Sequence, residues 1–140
     1  MMQLTQHFTL EELTKTNKRD FKIINAREGT KILGKMYNLA AFAENVRLVI
    51  GEIPMIINSG FRCEALNKAL GGVKTSQHVK AEAIDFVCNC VKPKKLFETI
   101  KKSKLEFGQL ILEQDSWIHV SMGSKKECLI YDGTKYKKVN

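Results

Sequence analysis

The chain has 140 residues, 44% of them hydrophobic, and a formal net charge of +8. Its length fits one domain, 1–140, with a single core. No apolar stretch approaches the roughly 20 residues that span a bilayer, and two prolines without low-complexity runs exclude long disordered linkers.

In chain order, HFTLEEL opens a helix. Thr9 caps it, Glu12 completes a capping box, and Phe8 and Leu13 staple the start to the core. Thr14 to Asn25 is polar and reads as loop with a short strand at Phe21–Ile24. From about Glu28 to Ile50 the pattern is helical. Ile32, Met36, Leu39, Ala43, Val46 and Ile50 recur at steps of three and four on one face. Ile53–Asn58 reads as a strand, Phe61–Leu70 as a short helix stopped by Gly71-Gly72. Ala83–Cys90 reads as a second strand. Pro93 opens a helix, PKKLFETIKKSK, with Leu96, Phe97 and Ile100 inward. FGQLILE, WIHVSM and ECLIYD are strand-like, and the lysine-rich end is expected to fray. Helices first and strands late favour an α+β fold with a largely antiparallel sheet.

The basic excess suits a polyanionic partner: nucleic acid, or a cell wall with acidic peptides and teichoic acids. Only four of the 23 basic residues are arginine, whereas base-reading surfaces favour arginine. No nucleic-acid motif or aromatic–basic interleaving is present, so nucleic acid is not expected as a partner. The lysine clusters at Lys92–Lys95, Lys101–Lys104 and Lys135–Lys138 read as solvated faces. The N-terminus has no basic region followed by an apolar one, so no signal peptide is expected. Cys63, Cys88, Cys90 and Cys128 form no CxxC pair and read as free, core thiols. His7 reads as structural or surface.

Chemistry concentrates in SQHVKAEAIDF and WIHVS. Strand side chains alternate faces. Asp85 shares one face with Val87 and Asn89, while Ile84, Phe86, Cys88 and Cys90 share the apolar one. In WIHVSM, Ile118, Val120 and Met122 oppose Trp117, His119 and Ser121. Asp85 and His119 are thus both polar groups on strands whose other face is buried. If these strands are neighbours the two groups converge, and His78, just before the first strand, supplies a third arm. Each histidine alone reads as a surface or satisfied core residue. Together the three make two histidines plus a carboxylate, a catalytic zinc set that leaves a position for water.

INSGFRCEALNKALGGVKTSQHVKAEAIDF, followed by FGQLILE and WIHVS, resembles the zinc D-alanyl-D-alanine carboxypeptidase family, in its small branch common in bacteriophages. The family pattern SxHxxGxAxD and a later WxHVS-like strand match at Ser76, His78, Ala83, Asp85, Trp117, His119, Val120 and Ser121. HFTLEEL resembles the family's N-terminal helix, so the likeness spans nearly the whole chain. The resemblance implies a Hedgehog/DD-peptidase fold, helices packed on a small antiparallel sheet that carries the metal. It implies Zn2+ held by His78, Asp85 and His119, and Arg62 meeting a substrate carbonyl or carboxylate. Ser76 is either a substrate or ligand hydrogen-bonder or a turn hydroxyl. The family's glycine is Ala81 here, which matters if that backbone needs positive φ. Some relatives carry an acidic residue three positions before the last histidine, where this chain has Ser116. Glu113 is assigned as the general base, with Asp115 as the alternative.

The resemblance implies a zinc metallopeptidase acting on peptidoglycan stem peptides, as carboxypeptidase or endopeptidase. The bond (D-Ala-D-Ala, L-Ala-D-Glu or cross-bridge) stays open. Such a protein is expected to be a monomer made in the cytoplasm. It would act at the cell wall after release by other factors, as a phage endolysin, or as a virion-associated lysin. The alternative is a non-catalytic zinc-binding wall module.

Overall fold

A computed structural model describes residues 1–140. Helix α1 (Leu10–Leu13) is closed by the expected capping box. Thr9 Oγ1 accepts from the Glu12 N–H at 3.1 Å, and Glu12 Oε1 accepts from the Thr9 N–H at 3.2 Å. Each bond satisfies an amide that the helix start leaves without a partner.

The next segment departs from expectation. It is a 3-10 turn (Arg19–Phe21) followed by α2 (Lys22–Thr30), with no strand at 21–24. The expected helix from Glu28 is divided: α2 stops at Thr30 and α3 runs Leu33–Val49. Gly29 and Thr30 are weak helix formers, and Gly29 is buried against α1. A Cβ there would fall 2.6 Å from Thr14 Cγ2. The apolar stripe of α3 is as read. Met36, Leu39, Ala43 and Val46 are fully buried, Ile50 is buried at the C-cap, and Ile32 is partly buried. Each large side chain of that stripe contributes about 1.5–3 kcal/mol by leaving water.

Strand β1 is shorter than read, Ile56–Ser59. Then come α4 (Glu64–Ala69), β2 (Ala83–Val87) and α5 (Pro93–Lys102). Pro93 sits in the first turn of α5 and Lys101 and Lys102 in the last, where they complement the helix dipole. Strands β3 (Gln109–Glu113), β4 (Trp117–Ser121), β5 (Glu127–Tyr131) and β6 (Tyr136–Val139) complete the chain. The lysine-rich end is therefore the edge strand β6, paired antiparallel with β5. Exposed lysines on an edge strand discourage pairing with other chains.

The six strands lie in the order β1-β2-β4-β3-β5-β6. Every pair is antiparallel except β3 and β5. One face of the sheet carries Ile84, Phe86, Leu110, Leu112, Ile118 and Val120, all buried in the core. Helix α5 packs on β3 and β4 there, through Leu96, Phe97 and Ile100. All four cysteines are free. Cys63, Cys88 and Cys128 are buried, but Cys90 is exposed in the turn after β2, because the strand ends at Val87. The result is an α+β fold with a mostly antiparallel sheet.

Candidate metal centre

The opposite face of the sheet is polar at its middle. Strands β2 and β4 are neighbours, and their register sets Asp85 directly across from His119. His119 in turn faces Ile111 of β3. The third group comes from the turn before β2. His78 is 3% exposed there, and its Nδ1–H donates to the Gly60 carbonyl at 2.7 Å. This leaves Nε2 pointing inward, 3.2 Å from Asp85 Oδ1. His119 Nδ1 lies 2.9 Å from the same oxygen. The two imidazoles meet edge to face, centroids 5.1 Å apart.

One ligand atom each from His78, Asp85 and His119 lies within 4.8 Å of the others, so the trio can hold a single ion. The donor set suits zinc. A second observation fits a metal: His78 Nε2 is buried and makes no hydrogen bond, although the Asp85 carboxylate lies 3.2 Å away. Buried polar atoms seldom go unsatisfied, and a bound cation would satisfy this one. Burial pushes the Asp85 carboxyl up, but His78 and His119 outweigh it and hold the group well below its ordinary 3.8. That direction favours the carboxylate, the form a metal ligand takes.

The sequence Ser59-Gly60-Phe61-Arg62 builds the wall beside the trio. A register shift between Ile57 and Ser59 sets Ser59, not Asn58, opposite Asp85. Such bulges re-aim side chains beside functional sites. Ser59 Oγ accepts from Arg62 Nε at 3.2 Å. Gly60 packs so closely on α1 that a Cβ would sit 2.6 Å from the Leu13 carbonyl oxygen. Phe61 is core. The Arg62 N–H donates to the His78 carbonyl at 3.1 Å, and its Nη2 lies 4.0 Å from Asp85 Oδ2. Burial draws the Arg62 guanidinium pKa down, with Asp85 opposing.

This wall is locked by a residue of the segment expected to be loop. Asn25 is fully buried on α2. Its Nδ2 donates to the carbonyls of Thr14 (2.7 Å) and Phe61 (3.0 Å), and its Oδ1 accepts from the Cys63 N–H at 2.7 Å. The one available signal was an amide beside apolar Ile23 and Ile24, which does not distinguish inside from outside.

The turn that carries His78 closes in a Schellman pattern. The Glu82 N–H donates to the Gln77 carbonyl (2.9 Å) and the Ala81 N–H to the His78 carbonyl (3.2 Å). Ala81 takes the left-handed position, φ +57°. This is where glycine costs least, which accounts for the glycine in the family pattern. Ser76 Oγ accepts from the His78 N–H at 3.2 Å, leaving its own O–H free.

A cleft of about 570 Å³ opens over the trio, and Arg62, Ser76, Glu113 and Trp117 line it. Glu113 ends β3, paired with Trp117 of β4 and Tyr131 of β5. Burial raises its carboxyl above the ordinary 4.5, Asp85 adds to this, and His119 opposes it. Asp115 is exposed in the following turn and does not line the cleft. Tyr136 of β6 also lines the cleft, and the sequence reading missed it. Burial pushes its phenol up, as do Glu113 and Tyr131. The Asp132-Gly133 turn after a strand-like run was its signal, since such a turn can return the chain as a paired strand. His7 is structural: its N–H and Nδ1 bind the Glu44 carboxylate on α3, both at 2.8 Å.

No helix is long and apolar enough to cross a membrane. No curated protein matches the chain. A family model, described as Peptidase M15, matches residues 6–121, from the lead-in of α1 to the end of β4, and so includes the whole trio. Strands β5 and β6 lie beyond the match. M15 peptidases are zinc-dependent metallopeptidases. By this match over most of its length, the chain belongs to the peptidase M15 family.

Proposed function

We propose that this protein hydrolyses peptide bonds in peptidoglycan stem peptides, with Zn2+ held by His78, Asp85 and His119. The observation that carries the reading is the convergence of these three side chains, with one ligand atom of each within 4.8 Å of the others. Zinc, when bound, supplies a Lewis acid that acidifies a water and polarises a carbonyl. Glu113 takes the water proton and delivers it to the leaving amine. Its raised carboxyl pKa and its place in the same cleft suit both transfers. Arg62 offers paired donors to a substrate carbonyl or carboxylate, and the free O–H of Ser76 donates a further hydrogen bond to substrate. The +8 net charge suits residence on an anionic wall. The setting we propose is phage lysis, by an endolysin or a virion-associated lysin acting as a monomer.

The test is mass spectrometry of purified peptidoglycan fragments after digestion. New termini in stem peptides are the expected result, and their positions identify the bond and separate carboxypeptidase from endopeptidase action. No cleavage of any fragment by the zinc-loaded chain would overturn the reading in favour of a non-catalytic wall-binding module.

A further inference from the structure

His119 presents a choice that His78 does not. Its Nδ1 faces Asp85 Oδ1 at 2.9 Å, inside the ligand trio. Its Nε2 faces the side-chain oxygen of Gln77, also at 2.9 Å. Both neighbours are acceptors, yet a neutral imidazole has one N–H. If the proton sits on Nδ1, it points at Asp85 and blocks the site. If it sits on Nε2, it donates to Gln77 and frees the Nδ1 lone pair for a metal. His78 has the mirror arrangement: the Gly60 carbonyl takes its Nδ1–H and frees Nε2. The two ligands thus present opposite ring nitrogens, each selected by an acceptor outside the trio.

We infer that Gln77 is a positioning residue: its side-chain oxygen takes the Nε2–H of His119 and so presents Nδ1 to the metal. Gln77 is well placed to hold that orientation. It adjoins His78, and its carbonyl accepts the Glu82 N–H at 2.9 Å, closing the turn that delivers both side chains. Acceptors of this kind fix the tautomer and ring angle of a ligating histidine, and their loss weakens metal binding. The inference rests on the zinc reading above.

The experiment uses the full chain and zinc alone, with dissociation constants from competition against a chromogenic chelator. Gln77→Met keeps the length and removes the acceptor; the expected result is about 10–100-fold weaker zinc binding. Gln77→Glu keeps an acceptor and is expected to bind as tightly as wild type or tighter. A merely structural role would not separate these two variants. In zinc-loaded wild type, nitrogen NMR of His119 should show Nε2 protonated and Nδ1 bound to metal. Equal zinc affinity for wild type and Gln77→Met overturns the inference and leaves the zinc reading standing. So does metal on Nε2 of His119, which decides the matter even if Gln77→Met fails to fold. A wild-type chain that takes up no zinc overturns both.

Discussion

The two faces of the central sheet are built from alternate residues of the same strands and obey different rules. On one face, Ile84, Phe86, Ile118 and Val120 lie fully buried under helices. There, shape and volume decide. On the other, Asp85, His119 and Glu113 share a cleft, and their charges act on one another. Burial and the Asp85 charge both push the Glu113 carboxyl up. The first face gives stability through burial; on the second, His78 and His119 favour the Asp85 carboxylate while burial of Glu113 costs stability. One strand can serve both ends because a pleat separates them at every step.

Substitutions that separate the faces test this contrast. The largest expected effect is Glu113→Gln, which should lower kcat by about 10²–10⁴-fold, the range for a lost general base. The same change should stabilise the metal-free chain. A carboxyl whose folded pKa lies above 4.5 costs nothing below pH 4.5, where it is protonated in both states. The cost develops as pH rises through the folded value and is complete above it. Thermal melts should therefore coincide in acid and diverge towards neutral pH, with Glu113→Gln the more stable. Wild type melting higher at neutral pH would contradict the sign.

Phe86→Ala, on the other face of Asp85's strand, should do the reverse. The cavity should cost about 3–5 kcal/mol in denaturant titrations. Per folded molecule, hydrolysis should be retained. A large loss of kcat in the folded fraction would show that the two faces are not separable.

Asn25→Ala breaks the lock beneath Arg62. It leaves three backbone groups without partners, and about 2–4 kcal/mol of stability should be lost. Because this segment carries Arg62, KM should rise as well.

The smallest effect is expected at Ala81. Glycine would relieve left-handed strain of about 1–2 kcal/mol. Against this stand roughly 0.5–1 kcal/mol of backbone entropy and the loss of a buried methyl. Ala81→Gly should therefore leave the denaturation midpoint nearly unchanged. Ala81→Val, β-branched and buried at the same φ, should cost about 2–4 kcal/mol.

What the sequence disclosed follows from the range of its signals. Period 3.6 marked the core face of α3, and period 2 marked the faces of β2 and β4. The convergence of Asp85 and His119 was legible as a condition, that the strands be neighbours, which the β2–β4 register meets. Helix α2 was missed because its pattern is inverted: Ile23 is 83% exposed and Asn25 fully buried. Strand β6 was missed because lysines at an edge read as a solvated tail. The parallel pairing of β3 with β5 is non-local, and no local period encodes it. The left-handed φ of Ala81 is not legible in the sequence, since it is set by the turn's hydrogen bonds and not by residue type.

On the proposed function, hydrolysis depends on a zinc ion held by the trio. The direct measurement is stem-peptide hydrolysis by chain stripped with a strong chelator and then titrated with zinc, beside His119→Ala. Wild-type activity should vanish on stripping and return as zinc approaches one ion per chain, while His119→Ala stays inactive. Full hydrolysis by the stripped chain would contradict the account.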